Sequence, residues 1–256
     1  MVKYIFIFFI IFSIYYLLNK NIIIIKENFN NNNYTAIIIE PRKHLALEFV
    51  LTNFLENLSN EWNIIIFHGT NNKLYIENII NNKLLKYKSR IKLENLNVDN
   101  LSLKEYNKLL TSKEIYDKIP TEIFLIFQTD SLICSDYKDI INYFLKYDYV
   151  GAPWKFNNVG NGGLSLRKKS KMLEIINKCN YNNKPEDYYF TQSCNNLIYR
   201  NLPTVNEAKN FSMEGIYNDI SFGIHKPWAH LNEEKIINKE KYCKGLLKLK
   251  ELNKNF

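Results

Sequence analysis

The apolar residues of this chain fall into two kinds of segment, and their alternation limits the fold more than any other feature. Residues 36–39 form an apolar run of strand type closed by Glu40-Pro41-Arg42, and residues 63–67 form a second closed by His68-Gly69-Thr70. Residues 91–96 and 122–127 supply two more, and residues 149–152 and 163–166 read as shorter strands. Between them Leu45, Phe49, Leu51, Leu55 and Leu58 recur at helical spacing over 44–58, and residues 74–84 also read as helix. Tyr106, Leu109, Leu110 and Ile115 share one side of a helix predicted over 103–119, and shorter helices are predicted over 140–145 and 168–179. Strands alternating with helices predict an α/β fold whose sheet is mixed but mostly parallel and covered on both faces. Ligands of such sheets bind outside the carboxyl ends of the strands. That rule sends Glu40-Pro41-Arg42, His68 and Asp130 to one rim.

The first 26 residues belong to something else. Residues 4–18 are apolar and aromatic except for Ser13, and after Asn19-Lys20-Asn21 an Ile run continues to residue 25. The whole is long enough to span a bilayer, and no small-residue cleavage pattern follows it, so it reads as a signal anchor rather than a removed leader. Lysines lie on both sides of it; the expectation is a single-pass protein of type II orientation. Residues 28–33 are all Asn except Phe29, and 27–33 reads as a spacer. One domain is then expected over 34–256.

The formal charge of +8 raises the question of nucleic acid. The lysines are scattered among Asn and Ile, Arg is scarce, and no helix-turn-helix, zinc-finger or RNA-binding signature is present, so no nucleic-acid partner is expected. Cys134, Cys179, Cys194 and Cys243 lack any CxxC or zinc spacing. They read as buried thiols, with a Cys179–Cys194 pair in an oxidising lumen as the alternative.

Reactive side chains and unusual backbone gather in a few places. Asp130 follows the apolar run 123–127 by way of Gln128 and Thr129, where a carboxylate can share a divalent cation with phosphate oxygens or simply cap a turn. Gly160-Asn161-Gly162-Gly163 precedes Leu164-Ser165-Leu166-Arg167, a bulge entering a strand or a place where backbone meets a ligand. Glu186 and Asp187 open a predicted helix, where acids suit the dipole and where one could take a proton. His225 lies in Phe222-Gly223-Ile224-His225-Lys226-Pro227-Trp228, and an imidazole there could complete a metal site short of carboxylates. Trp154 and Trp228 could stack on a sugar or pack in the core.

In this order the motifs Glu40-Pro41-Arg42, Phe127-Gln128-Thr129-Asp130-Ser131, Tyr149 to Trp154, Gly160 to Arg167, Glu186-Asp187 and His225-Lys226-Pro227-Trp228 resemble a family of uncharacterised proteins, a domain of unknown function regarded as glycosyltransferase-like with the GT-A fold. The likeness runs from residue 34 to about residue 228. It implies a single GT-A-like, Rossmann-like domain using a nucleotide-sugar donor and a divalent cation, Mn²⁺ or Mg²⁺. Such enzymes hold the cation with an Asp-x-Asp motif; Asp130 would be its last Asp, and Gln128 stands where the first would be. The resemblance makes Asp187 the base, Glu186 a sugar contact, Gly162 and Gly163 the lining of the donor sugar, His225 a second metal ligand and Arg42 a nucleotide contact. It implies an inverting displacement by a hydroxyl of a glycan, glycoprotein or glycolipid. Because Gln128 breaks the motif, the competing expectation is a non-catalytic, membrane-anchored carbohydrate-binding protein on the same fold.

Overall fold

Among the described residues nine strands build two sheets: β1 Tyr34–Ile39, β2 Trp62–His68, β3 Ile91–Asn95, β4 Ile123–Phe127, β5 Ser131–Ile133, β6 Tyr149–Gly151, β7 Leu164–Lys168, β8 Ser212–Met213 and β9 Gly223–His225. The computed structural model describes residues 33–154 and 159–255. The expected anchor over 1–26 and all of the spacer except Asn33 lie outside them. Among the described residues no helix is long and apolar enough to cross a membrane.

The large sheet has the order β3-β2-β1-β4-β7-β6. β3, β2, β1 and β4 pair in parallel, whereas β7 runs antiparallel to both β4 and β6. The sheet is therefore mixed and mostly parallel, as the alternation of segments predicts. The middles of β1, β2 and β4 are continuous apolar runs because both faces are covered. Ile37, Ile39, Ile65, Phe67, Phe124 and Ile126 enter one core cluster, and Ala36, Ile38, Ile64, Ile66, Leu125 and Phe127 enter the other. On the second face the Leu47–Asn57 helix buries Leu47, Val50, Leu51, Phe54 and Leu55. Phe54 stacks on Phe127 with ring centroids 3.9 Å apart, which fixes that helix over the end of β4.

The helix expected over 103–119 is broken into Leu103–Leu110 and Lys113–Asp117. Thr111 Oγ1 donates to the Asn107 carbonyl and Ser112 Oγ to the Leu109 carbonyl. Hydroxyls that bond back to helix carbonyls compete with the backbone ladder, and two in succession end it. The Ser102 capping box at the start holds as a local sequence signal should.

The small sheet, ordered β5-β9-β8, was not foreseen. β5 leaves directly from Asp130, and antiparallel pairing sets Ser131 opposite His225. β8 runs parallel to β9 with Met213 opposite Ile224. After it come the Glu233–Glu240 and Leu246–Leu252 helices. Just beyond the second, Asn253 Nδ2 donates to the Thr129 carbonyl at 3.0 Å, so the end of the chain braces the loop that carries Asp130.

The cysteines correct the expectation of thiols. Cys134, just past β5, is bridged to Cys243 with Cα atoms 4.4 Å apart, and Cys179 is bridged to Cys194 at 6.0 Å. The first ties the small sheet to the C-terminal helices, and the second closes the segment that carries Glu186 and Asp187. Peptide mapping without reductant should recover both bridges. Reduction should lower stability by about 2–5 kcal/mol, read from denaturant midpoints, mainly through the 109-residue separation closed by Cys134–Cys243. Four alkylatable thiols in the native protein would contradict this pairing.

Candidate functional site

The carboxyl ends of β1 and β4 open onto a cleft of about 270 Å³ lined by Glu40, Pro41, Arg42, Tyr106, Gln128, Thr129 and Asp130, among others. Two of the three motifs sent to this rim line the cleft. The third, His68, closes β2, but its buried ring spends Nδ1 on the Gly69 carbonyl at 2.7 Å. Arg42 is gripped by Glu40 through Nε and a terminal nitrogen, each at 2.8 Å, with its side chain 44% exposed. This hydrogen-bonded carboxylate raises the Arg42 pKa above the ordinary guanidinium value, so the guanidinium stands charged at the cleft mouth in an ion pair with Glu40.

Asp130 and His225 come together across the small sheet, 95 residues apart in sequence. His225 Nε2 lies 3.2 Å from Asp130 Oδ1 and 3.1 Å from Gln128 Oε1. Gln128 is held in turn by donating Nε2 to the Tyr106 hydroxyl at 3.0 Å. Burial alone would lower the His225 pKa, but Asp130 and Glu214 outweigh it and carry it up to about 10. Burial works to raise the Asp130 pKa, and the neighbouring His225 overcomes it and holds the carboxyl below its usual value.

Do these groups suit a divalent cation? Asp130 Oδ1 is buried and makes no well-aligned hydrogen bond, its charge being offset by the His225 ring 3.2 Å away. A carboxylate oxygen, an imidazole nitrogen and the Gln128 amide oxygen converge there. Among the described residues no three His, Cys, Asp or Glu side chains gather as a complete cage. Mg²⁺ and Mn²⁺ sites of the shared kind need none, because one or two protein ligands leave the remaining positions to phosphate oxygens and water. The donor set therefore fits a cation shared with a diphosphate.

Asp187 stands at the start of the Glu186–Gln192 helix. Its Oδ1 accepts from the Tyr188 amide at 2.7 Å and its Oδ2 from the Gly162 amide at 3.3 Å. Burial, followed by the neighbouring charge of Glu186, raises its pKa to about 6 despite those bonds. Glu186 is placed quite differently. Both its oxygens are taken by Arg167, at 2.7 and 2.9 Å, in a pair that is almost wholly buried. Arg167 also lies 4.7 Å from the Tyr149 ring centroid and donates Nε to Ser165 at 2.9 Å. The carboxylate expected to meet a sugar is thus committed to holding the helix start against β7. Replacing Glu186 with Ala strands a buried guanidinium and should cost about 3–5 kcal/mol, read from denaturant unfolding. Exchange without loss of stability would contradict this placement.

Two glycines join these halves. A Cβ added at Gly162 would lie 2.2 Å from Glu186 Oε1 and 3.3 Å from Asp187 Cβ; one added at Gly163 would lie 2.1 Å from His225 Nε2. Successive Cα atoms are about 3.8 Å apart, so the Asp187 side and the His225 side of the site touch neighbouring residues. These positions are glycine because side chains of this same protein fill the space.

Sequence reasoning missed Glu214, Tyr106 and Arg167. In sequence Tyr106 signals only a helix face and Arg167 only the end of a motif, and no spacing pattern marks Glu214. Trp228, the later of the two tryptophans expected to stack on a sugar or pack in the core, packs against the larger core cluster.

These features define an α/β protein with a candidate cation-binding cleft at the rim of its parallel strands and a raised-pKa carboxylate beside it. Residues 90–225, more than half of the chain and including Asp130, Glu186, Asp187 and His225, match the family described as protein of unknown function (DUF5672), and the chain belongs to that family. No curated protein matches it. Among solved structures it is similar to HddC from Yersinia pseudotuberculosis complexed with GMP-PN, at 13% identity and TM-score 0.46 over 82% of this chain and 99% of that one. It is also similar to S. aureus TarS 1-349, at 10% identity and TM-score 0.47 over 86% of this chain and 69% of that one. A third is the mannosyltransferase PcManGT from Pyrobaculum calidifontis in complex with GDP-Man and Mn2+, at 13% identity and TM-score 0.46 over 62% of this chain. The chain spans about half of that mannosyltransferase, 51% of its length.

Proposed function

We propose that this protein is a membrane-anchored glycosyltransferase of GT-A type, moving a sugar from a nucleotide-sugar donor to a hydroxyl of a glycan, protein or lipid with inversion at the anomeric carbon. The observation that carries the reading is the Gly162–Gly163 dipeptide, with a raised-pKa carboxylate against one residue and the Asp130–His225 pair against the next. A cation ligand for a diphosphate and a base for a hydroxyl are what such a transfer needs in one place.

Arg42, at the cleft mouth, attracts the anionic donor. Asp130 and His225, with Gln128 beside them, would hold Mn²⁺ or Mg²⁺, which when bound neutralises charge on the departing diphosphate. Asp187 accepts the proton of the acceptor hydroxyl as its oxygen bonds to the anomeric carbon, and the bond to the diphosphate breaks with both electrons going to the phosphate oxygen. The Gly162 and Tyr188 amides fix the carboxylate for that approach. Glu186 and Arg167 act indirectly, by setting where the helix starts.

Transfer should rise with pH about tenfold per unit below 6 and level off above it, because Asp187 works as a base only when ionised and its pKa is about 6. A profile flat from pH 5 to 7.5 would remove Asp187 from that role. We also infer that the domain faces an oxidising compartment; the two disulfides support this, together with the type II orientation.

The test is turnover. The full-length protein in detergent, incubated with Mn²⁺ and a panel of nucleotide sugars, should release nucleoside diphosphate from one donor class, faster once a suitable acceptor is added. Sugar binding with no release from any donor would favour the non-catalytic carbohydrate-binding reading instead.

A further inference from the structure

Glu214 follows β8 directly, and the register that sets Met213 opposite Ile224 brings the next residue alongside His225. On the other side, Ser131 faces His225 and the Lys226 amide donates to the Asp130 carbonyl at 3.0 Å. The small sheet thus lays Asp130, His225 and Glu214 side by side. Glu214 is 7% exposed, and one of its oxygens, Oε1, does most of the work. It lies 3.1 Å from His225 Nδ1, accepts from Asn161 Nδ2 at 3.0 Å and lies 3.7 Å from His230 Nε2. Asn161 passes the connection on, its Oδ1 accepting from the Gly163 amide at 3.0 Å.

We propose that Glu214 is the positioning residue of the cation site: it keeps the His225 proton on Nδ1, leaves Nε2 facing Asp130 as a ligand, and through Asn161 locks that ligand to the glycine loop. The inference rests on the cation-assisted reading above. Its physical basis is general. An imidazole that ligates a metal through one nitrogen donates through the other to a carboxylate or carbonyl, which fixes the tautomer and makes the ligating nitrogen more basic. A buried carboxylate is costly unless paired, and here it is spent on a ring whose other edge lies 3.2 Å from the buried Asp130 Oδ1.

The probe is Mn²⁺ alone, titrated into the full-length protein and followed by electron paramagnetic resonance. Wild type should bind, and Glu214→Gln should bind about 10–100-fold more weakly. Glu214→Asp, one methylene shorter but still charged, should fall between them. If Glu214→Gln binds as wild type does while His225→Ala does not, Glu214 only stabilises the sheet and the proposal fails alone. If wild type binds no Mn²⁺, the cation-assisted reading fails and takes this one with it. Should the variants not fold, nitrogen-15 spectra of Mg²⁺-saturated wild type decide the matter. A proton on Nδ1 with Nε2 bare is expected; a proton on Nε2 overturns the assignment.

Discussion

Asp187→Asn should reduce sugar transfer by about 10²–10⁴-fold while nucleoside diphosphate binding stays nearly intact. The amide fills the same space and its oxygen can still accept from the Tyr188 amide at the helix start, so only the longer bond from the Gly162 amide to the second carboxylate oxygen is lost. What it cannot do is take a proton from the acceptor. The same substitution should raise the melting temperature at pH 7.5. A carboxyl whose pKa is raised on folding binds protons more readily folded than unfolded, so stability declines as pH climbs from the usual Asp value toward about 6. Asn carries no such burden. Rate falling while the melting point rises separates a base from a structural carboxylate; a variant that loses donor binding and stability together would contradict the assignment.

Gly163→Ala is the second large effect expected. The added methyl would sit 2.1 Å from His225 Nε2, with ring atoms at 2.3 and 2.4 Å, far inside contact distance. The imidazole has little room to retreat, since Glu214 holds its far side and Gly223 and His225 belong to a paired strand. Something must give: the ring turns away from Asp130, or the glycine loop lifts from Asp187. Either way, Mn²⁺ affinity should fall by at least the 10–100-fold expected for loss of an orienting partner, and transfer with it. Wild-type Mn²⁺ affinity in the Ala variant would show that His225 has no part in the cation site.

The sequence made the central sheet legible because β1, β2 and β4 are buried on both faces and so carry long apolar runs. β5, β8 and β9 are two or three residues each, too short for any period to register, and they exist only by pairing across distant parts of the chain. Glu214 was hidden for the same reason. Its meaning comes from lying next to His225 across strands, not from any spacing along the sequence. Asp130, Asp187 and His225 stood out because motifs surround them. Glu186 stood out equally, but a helix-start acid looks the same in sequence whether it faces a cleft or a buried Arg167. The pairing of Cys134 with Cys243 depends on where the C-terminal helices dock, which local composition does not record.

The central claim is a donor site whose cation is held by Asp130 and His225. Calorimetric titration of the full-length protein with a panel of nucleoside diphosphates, with and without Mn²⁺, tests it most directly. One nucleotide should bind only when Mn²⁺ is present, and Asp130→Ala should abolish that binding without unfolding the protein. Binding of equal strength with and without the cation, or binding that survives Asp130→Ala, would contradict the account.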